Sequence, residues 1–394
     1  MQLASRMQDL PQPVFSEMIS DAEQAKRTGL RLIDLGIGSP DGVPAPHIVQ
    51  AMKFALDAPD AFGYPMTAGG SEFRQAAADW YLRRFGVRLD ASTQVHSLMG
   101  SQDGLAHLAL TVVNPGDVAL MPDPGYPIYH ASVTIAGGQL HRVKLRESNG
   151  FLPDFSEIPA SVAARARLLI LNYPNNPLSV TADYSFLQEA YAFAREHDIV
   201  LCYDNAYSEL AFDGFRPPSL LQVPGATEHC VEFNSLSKAF NMAGCRVAYA
   251  VGSPQIIDAL SRIKSHIDYG VFRVSQAGAI AALAGPDTAS EAPRQTYQDR
   301  RDSFIQVLSE YGWQLSRPQA TMFVWARIPQ EATSSMGFAK ELLRSTGVTV
   351  IPGSAFGEMG EGYVRMALVH PEAVLTEAAH KIGQYVKTSR LHPL

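Results

Sequence analysis

The sequence predicts an α/β fold in which a large domain, with a mostly parallel sheet flanked by helices, precedes a smaller α+β domain. Its 394 residues suit two domains. Short apolar runs alternate with helical patterns between about residues 70 and 285, as strands and helices do around a parallel sheet. After Gly285-Pro286 the order changes to a long charged helix followed by mixed strands and helices.

Four short apolar runs are interpreted as buried strands of the large domain, because both faces of a parallel sheet are covered. These runs are 118–121, 168–171, 199–203 and 247–251. Apolar residues at helical spacing predict helices at Ser71–Phe85 and Tyr184–Glu196. Ser71 is expected to be the N-cap of the first of these helices and Gly86 its stop.

The two ends of the chain have different patterns. Pro11 and Pro13 are expected to break any early helix, so about the first 30 residues are interpreted as an arm or extended lead-in. The later pattern predicts helices at 292–311, at 337–344 and from Pro371, and strands at 322–328, 348–351 and 363–368. We therefore expect an N-terminal arm (1–45) that packs with the small domain, a large domain (46–285) and a small domain (286–394).

Charge and composition exclude several classes of protein. The chain has 32 Lys+Arg against 39 Asp+Glu, and a net charge of -7 argues against a broad surface for nucleic acid or anionic membrane. No apolar run approaches the roughly 20 residues that span a bilayer, and no signal-peptide pattern opens the sequence. Three cysteines without a Cys-x-x-Cys pair, and 11 histidines without a metal-type pair, predict neither disulfide nor metal site. We expect a soluble cytoplasmic protein.

Polar clusters lie where several predicted strands end. Ligands of such sheets bind at the carboxyl ends of the strands, so these clusters are candidates for one common site. Taken singly each is weak, because an aspartate there is usually a cap, a lysine is often an ion-pair partner, and a tyrosine usually packs. The clusters are GSQDG (100–104), DPGYP (123–127), NYPNNP (172–177), DNAY (204–207), NSLSK (234–238) and GCR (244–246).

In order and spacing these motifs resemble the fold type I pyridoxal-phosphate enzymes, specifically the class I/II aminotransferases, over essentially the whole chain. The segments 206–214, 219–225 and 262–270 are similar to the alanine/glutamate-type and LL-diaminopimelate-type bacterial transaminases. The resemblance implies an aspartate-aminotransferase-like fold and pyridoxal 5'-phosphate as cofactor. It also implies ping-pong transfer of an amino group between an L-amino acid, of glutamate, alanine or LL-diaminopimelate type, and a 2-oxo acid.

The resemblance assigns roles around the cofactor ring. Lys238 is the lysine that binds the cofactor aldehyde covalently and moves the substrate's α-proton. Asp204 faces the pyridine nitrogen and keeps it protonated. Tyr207 and Asn176 hydrogen-bond the phenolic oxygen, and Tyr126 stacks on the ring face.

A second group is implied to bind the cofactor phosphate. Backbone N–H groups at a helix start, hydroxyls and one arginine suit a doubly charged phosphate. The implied residues are Ser101, Gln102, Ser235, Ser237, Arg246 and, from the neighbouring subunit, Tyr64. The role of Tyr64 implies a homodimer.

The remaining implied residues bind the substrate. Arg365 resembles the arginine that holds the α-carboxylate, for which a planar bidentate donor is suited. Gly38 lets the backbone approach the same carboxylate, and Asn176 is a further contact. Because Arg365 lies in the small domain and Lys238 in the large one, substrate is expected to bridge the domains and favour closure.

The sequence departs from the family pattern in places. NPLS (176–179) stands for Asn-Pro-Thr-Gly, and GCR (244–246) for Gly-Trp-Arg, without loss of a chemical role. Gln102 replaces a lysine that contacts the distal carboxylate in one aspartate-aminotransferase subgroup, so aspartate is less expected. Asp103 either recognises a distal amine or caps its helix.

Three alternatives accompany this interpretation. A pyridoxal-phosphate-dependent carbon–sulfur β-lyase shares the same cofactor residues. An aminotransferase-like transcription regulator needs a DNA-binding module before the core, whereas core-like sequence begins here by about residue 31. A non-catalytic binding protein is expected to lose Lys238 or Asp204, and both are present.

Overall fold

The computed structural model describes residues 3–10, 14–27 and 29–391, which contain strands β1–β12 and helices α1–α15. The strands are β1 (Ile33–Asp34), β2 (Val95–Leu98), β3 (Val118–Asp123), β4 (Gln139–Lys144), β5 (Ala166–Asn172), β6 (Val200–Asp204), β7 (Cys230–Ser235), β8 (Ala248–Gly252), β9 (Phe323–Arg327), β10 (Val348–Thr349), β11 (Ile351–Pro352) and β12 (Tyr363–Ala367). The helices are α1 (Arg6–Asp9), α2 (Val14–Arg27), α3 (Pro46–Leu56), α4 (Ser71–Phe85), α5 (Ser101–Val112), α6 (Pro127–Ala136), α7 (Ala160–Ala163), α8 (Tyr184–Glu196), α9 (Ala226–His229), α10 (Leu236–Ala239), α11 (Pro254–Ser265), α12 (Arg273–Ala284), α13 (Thr288–Glu310), α14 (Ser335–Thr346) and α15 (Glu372–Leu391).

Seven strands form the large sheet, in the order β2-β8-β7-β6-β5-β3-β4. Within this sheet β8 pairs antiparallel with both of its neighbours, and every other pairing is parallel. The four apolar runs predicted as strands lie in β3, β5, β6 and β8. The predicted mostly parallel α/β sheet is therefore confirmed.

Alternate residues of β5 show why helices cover both faces of this sheet. Leu169 and Leu171 point into one apolar cluster, which includes residues of α3, α4, α8 and α12. Leu168 and Ile170 point into a second cluster with residues of α5, α6 and α11. Because successive side chains of a strand alternate between faces, a run of four apolar residues needs both layers.

The C-terminal part of the chain forms a second core around a smaller sheet. Strands β11, β12 and β9 pair antiparallel, and β1 pairs with β10 in parallel. The prediction of one strand at 348–351 was wrong, because the chain changes partner there. Thr349 of β10 pairs with Asp34, whereas Ile351 of β11 pairs with Arg365. The intervening Val350 is buried in the small core.

The N-terminal segment is not the extended lead-in that the prolines predict. Pro11 and Pro13 lie outside the described residues, but α1 and α2 lie on either side of them. Helix α2 forms because it has an apolar face to bury, and Met18 on that face is 2% exposed within the small core. Its polar face is tethered by Lys340, whose Nζ lies 2.6 Å from Glu17 Oε1. Helix formation therefore resumes after the prolines.

Two helix starts also differ from prediction. The N-cap of α4 is Gly70, and Ser71 is the first helical residue with its hydroxyl bonded to Glu72. Gly86 ends that helix in a left-handed conformation, as predicted. Helix α13 begins at Thr288 and continues through Pro293, which removes one backbone donor without ending the helix.

No helix in the described part of the chain is long and apolar enough to cross a membrane.

A buried carboxylate on β7 joins the sheet to the surrounding loops. Glu232 accepts hydrogen bonds from Tyr81 Oη at 2.8 Å, Asn205 Nδ2 at 2.7 Å, Ser219 Oγ at 2.7 Å and the Leu220 N–H at 2.9 Å. Burial raises the pKa of Glu232, and these four donors partly offset that effect. The Glu232 carboxylate thereby fixes helix α4 through Tyr81, and it also fixes Asn205, the residue that follows Asp204.

We expect Glu232→Leu to lower the free energy of unfolding by more than about 3 kcal/mol, because it leaves several buried donors without an acceptor. Ser219→Ala is the matched variant, which removes one of these bonds and should cost about 1 kcal/mol. Calorimetric or denaturant unfolding of the two variants and the parent measures the difference. A Glu232→Leu protein as stable as the parent would contradict this account.

Candidate active site

A cavity of about 440 Å³ lies between the carboxyl edge of the large sheet and the small-domain sheet. Of the predicted site residues, every one except Tyr64 lines it. Those lining residues are Gly38, Ser101, Gln102, Tyr126, Asn176, Asp204, Tyr207, Ser235, Ser237, Lys238, Arg246 and Arg365. Residues from distant parts of the sequence therefore meet at the edge that the strand ends predict.

Lys238 presents a primary amine to this cavity from α10, directly after β7. Its Nζ donates a hydrogen bond to the carbonyl of Gly38 at 3.0 Å. Burial and the positive charges of Arg365 and Arg246 lower the pKa of Lys238 to about 8, against the opposing effect of Asp204. A substantial fraction of the amine is therefore neutral near physiological pH, as a nucleophile or general base requires.

Asp204, at the end of β6, is the carboxylate of the site. Tyr129 Oη donates to its Oδ2 at 2.8 Å, and the Ala206 N–H donates to its Oδ1 at 3.3 Å. Burial raises the pKa of Asp204 to about 6, although these donors and the charge of Lys238 lower it. The carboxylate is thus held in one orientation inside the cavity.

Sequence reasoning missed Tyr129 and gave no role to Asn172. Tyr129 lies one helical turn after Tyr126 on α6, and this spacing was the available signal. Asn172 Nδ2 donates to the Asp204 carbonyl at 2.8 Å, and Asn172 Oδ1 accepts from the Asn176 N–H at 2.8 Å. Asn172 therefore ties the aspartate strand to the loop that carries Asn176.

Phe323 was also missed and shapes two parts of the cavity. Its ring lies 6.1 Å from the ring of Tyr207, measured between centroids. A Cβ at Gly38 would lie 2.4 Å from a Phe323 ring carbon, so a side chain at position 38 does not fit. The aromatic ring thus requires a glycine where the N-terminal segment crosses the cavity.

One end of the cavity is rich in hydrogen-bond donors. Gly100 adopts φ +84°, and a Cβ there would lie 2.2 Å from an Arg246 guanidinium nitrogen. Arg246 is exposed, itself at positive φ, and donates to the carbonyl of Ala243 at 3.1 Å. Ser101 and Gln102 open α5 beside it. A helix start with an adjacent arginine is an anion-binding arrangement.

The serine motif before the lysine completes this end. Ser235 Oγ accepts from the Ser237 N–H at 3.1 Å and so caps the short helix α10. Both serines are buried and line the cavity. The local turn therefore holds the hydroxyls and the Lys238 amine in a fixed relation.

Arg365 enters the cavity from β12 of the small-domain sheet. Its guanidinium donates to Asn176 Oδ1 at 2.9 Å and to the Gly36 carbonyl at 2.7 Å. The rings of Phe323 and Phe356 flank it, with centroids 4.2 and 4.7 Å from its Cζ. Burial lowers the pKa of Arg365 to about 10, so it remains a cation at neutral pH. The site therefore holds a pre-oriented planar cation.

Two residues that the sequence singled out, Asp103 and Tyr64, do not line the cavity. Asp103, in the first turn of α5, accepts from the Met99 N–H at 2.9 Å and so holds the segment just before the helix, whereas the N-cap Gly100 has no side-chain cap bond. The position of Asp103 outside the lining disfavours recognition of a distal amine. Tyr64 is 82% exposed, and its ring lies 5.0 Å from that of Tyr269. Tyr64 therefore belongs to an exposed aromatic surface.

We expect acetylation of the Lys238 amine in the cofactor-free protein to be half-maximal at about pH 8, because only the neutral amine reacts. Peptide mass spectrometry after acetic anhydride treatment between about pH 6 and 11 measures this titration. Exposed Lys53 provides the internal reference for reagent reactivity. A midpoint near the ordinary value of 10.5 would contradict the lowered pKa.

Comparison with known sequences identifies relatives over almost the whole chain. The profile of the aminotransferase class I and II family matches residues 31–382. An LL-diaminopimelate aminotransferase of Moorella thermoacetica is 44% identical over 382 residues, which cover 97% of this chain and 98% of the relative. Another, of Desulforudis audaxviator, is 46% identical over 380 residues and 96% of each chain. The similarity thus includes both cores and the cavity.

Solved structures agree with the sequence comparison. Substrate-bound BacF from Bacillus subtilis matches with a TM-score of 0.93 at 38% identity, over 98% of each chain. A probable N-succinyldiaminopimelate aminotransferase from Thermus thermophilus matches with a TM-score of 0.88 at 36% identity, over 94% of this chain and 99% of that one. The chain therefore belongs to the aminotransferase class I and II family and is a pyridoxal-phosphate-dependent transaminase.

Proposed function

We propose that this transaminase moves the amino group of an LL-diaminopimelate-type L-amino acid to a 2-oxo acid such as 2-oxoglutarate, by a ping-pong mechanism in one cavity. The observation that carries the proposal is the placement of Lys238, Asp204 and Arg365 in that cavity. The names of the relatives support the donor class, since they are LL-diaminopimelate aminotransferases over nearly their full length. None of the names quoted above is that of a lyase.

The chemistry of the cavity fits pyridoxal 5'-phosphate. Ser101, Ser235 and Arg246, with the start of α5, would hold the phosphate, and Gly100 adopts the positive φ of +84° that places this helix start beside Arg246. Asp204 would face the ring nitrogen, and Lys238 the aldehyde. When bound, the cofactor supplies an aldehyde that takes up the amino group and a ring that withdraws electrons from the substrate's α-carbon.

The remaining contacts to the cofactor ring follow from the positions of the other side chains that line the cavity. Tyr126 would stack on the ring face, while Tyr207 and Asn176 would donate to its phenolic oxygen. Gln102 and Ser237 would add donors at the phosphate end. These assignments use side chains that line one cavity and whose loops are fixed by hydrogen bonds within the large domain.

Three side chains then perform the transfer. Arg365 binds the α-carboxylate through its planar guanidinium, next to the backbone of Gly38, and so orients the α-carbon. Lys238 would act as the base for the substrate's α-proton, because its lowered pKa keeps the amine available. Asp204 would hold a proton on the ring nitrogen of the bound cofactor. Tyr129 and the Ala206 N–H keep that carboxylate in place.

The charged residues that line the cavity all serve the cofactor or the substrate's α-carboxylate. Among the lining residues the charged ones are Asp204, Lys238, Arg246 and Arg365, all of which have roles above. Ser39 is an uncharged lining residue without a role above, so the donor class rests on the names of the relatives rather than on charged partners in the cavity.

The active form that we propose is a homodimer. Phe62, Tyr64, Tyr269 and Phe272 are exposed by 78, 82, 64 and 44% and form adjacent ring pairs, Phe62 with Phe272 and Tyr64 with Tyr269. We call these four residues the aromatic surface. Apolar surface of this kind marks a protein–protein contact. In such a dimer we propose that Tyr64 reaches the phosphate site of the second copy, as the resemblance to the family implies.

We also propose the division into an arm (1–45), a large domain (46–285) and a small domain (286–394). A substrate held by both Arg365 and Lys238 bridges the last two and favours their closure. The cytoplasmic location stays a prediction, and the free thiols of Cys202, Cys230 and Cys245 suit a reducing compartment.

The proposed function is tested by absorbance of the purified, cofactor-loaded enzyme before and after single amino acids are added. We expect the visible band to bleach with LL-diaminopimelate and to return with 2-oxoglutarate, with glutamate as product. Lys238→Ala is the control and should show no turnover. Release of pyruvate and ammonia from cysteine conjugates without a 2-oxo acid would instead establish the β-lyase.

We expect Arg365→Lys to lower kcat/KM about 100-fold, or ~3 kcal/mol, because a lysine cannot hold the carboxylate bidentately between two rings. Arg327→Lys, at an exposed position of the same small sheet, is the matched control and should stay within about twofold. Steady-state kinetics of both variants measure the difference. A near-normal kcat/KM for Arg365→Lys would show that another group holds the carboxylate.

A further inference from the structure

A fully buried lysine lies outside the cavity, in the last turn of α11. Lys264 Nζ is 2.5 Å from Asp103 Oδ2 and 2.8 Å from Asp268 Oδ2. Asp103, His107 and Asp268 bring three possible metal ligands within 4.8 Å of one another, but the ammonium already supplies a positive charge to both carboxylates. An ammonium buried this fully must be compensated by its partners, so its position fixes theirs.

The first carboxylate connects Lys264 to the phosphate end of the cavity. Asp103 is the third residue of α5, whose first two residues, Ser101 and Gln102, line the cavity. Asp103 Oδ2 accepts from the Met99 N–H at 2.9 Å, and the Met99 carbonyl accepts from an Arg246 nitrogen at 3.4 Å. The Asp103 carboxylate thus fixes the first turn of α5 and also Met99, whose carbonyl accepts from Arg246.

The charge of Asp103 depends on its partners. Burial by itself would raise its pKa, but the hydrogen bonds with His107 and Lys264 outweigh burial and lower that pKa to about 2. His107 Nδ1 lies 2.7 Å from Asp103 Oδ1. The carboxylate is therefore ionised at neutral pH and needs a cation beside it.

The second carboxylate connects Lys264 to the aromatic surface. Asp268 Oδ1 accepts from the Gly270 N–H at 2.9 Å. Gly270 adopts φ +95°, and a Cβ there would lie 2.8 Å from the Met66 carbonyl, so this turn packs directly on the backbone near Tyr64. Tyr269, between the two, places its ring 5.0 Å from that of Tyr64.

We propose that Lys264 is a positioning residue that fixes the phosphate-binding start of α5 relative to the 268–270 turn supporting Tyr64, and so links phosphate binding to subunit association. This rests on the proposed homodimer, in which Tyr64 serves the partner's phosphate site. Without the ammonium, Asp103 and Asp268 would face each other as like charges and move apart. Both the helix start and the turn would then lose their fixed positions.

The test compares Lys264→Met, Asp103→Asn and Asp268→Asn with the parent. Asp258→Asn is the matched control, because Asp258 is an exposed carboxylate on the same helix, paired with Arg262. For each full-length protein, absorbance titration of the cofactor-free form gives dissociation constants for pyridoxal 5'-phosphate and for pyridoxal, which lacks the phosphate. Analytical ultracentrifugation gives the dissociation constant of the dimer.

We expect Lys264→Met and Asp103→Asn to weaken pyridoxal 5'-phosphate binding about tenfold while pyridoxal changes less than about twofold. Lys264→Met and Asp268→Asn should raise the dimer dissociation constant about tenfold, and Asp258→Asn should change neither quantity. A merely structural role would weaken the binding of both ligands equally. A loss confined to pyridoxal 5'-phosphate therefore shows that Lys264 positions the phosphate site.

Equal losses for the two ligands, or an unchanged dimer in Asp268→Asn, would overturn the proposal. If Lys264→Met does not fold, the two asparagine variants decide, since each keeps the ammonium and one carboxylate. A monomeric parent chain would overturn the homodimer and this link together. A dimeric parent that binds the cofactor but transaminates no amino acid would contradict only the proposed function.

Discussion

The parallel register of β5, β6 and β7 is the constraint on which the rest of the site depends. Asn172 at the end of β5 is the register partner of Asp204 at the end of β6, and β7 ends nearby at Ser235. Because β5 and β6 are largely apolar on both faces, most polar side chains lie where the strands end, and Glu232 within β7 is buried only with four donors around it. The polar residues therefore accumulate at one edge, where they hold each other by hydrogen bonds.

Arg365 is the second constraint, because it connects the two cores. It belongs to the small sheet, yet its guanidinium bonds to Asn176 of the large domain and to Gly36 of the N-terminal segment. Two aromatic rings prevent the side chain from turning away. The carboxylate-binding group is thus placed jointly by three parts of the chain, and its charge is preserved despite burial.

Local pattern predicted much of this fold and site, since strand ends and motif spacing are properties of neighbouring residues. Ser71–Phe85 and Tyr184–Glu196 are helices with the predicted limits, and motif order pointed to Lys238, Asp204 and Arg365. Contacts between distant segments were not predictable. The bond from Tyr129 to Asp204 spans 75 positions. The predicted strand 348–351 is two short strands, because β10 pairs with β1 and β11 pairs with β12. No local pattern indicates these different partners.

The reversed direction of β8 has a consequence for how the chain can vary. A parallel strand after β7 would begin at the opposite edge of the sheet, so the chain would first have to cross the sheet. Because β8 is antiparallel, it begins at the edge where β7 ends, and Arg246, two residues before β8, lies on the same edge as Lys238. The length of the segment 239–245 therefore sets the distance between the Lys238 amine and the Arg246 guanidinium. Insertions there would alter the spacing of these two charges while leaving the sheet intact, whereas insertions at the opposite edge would not change it.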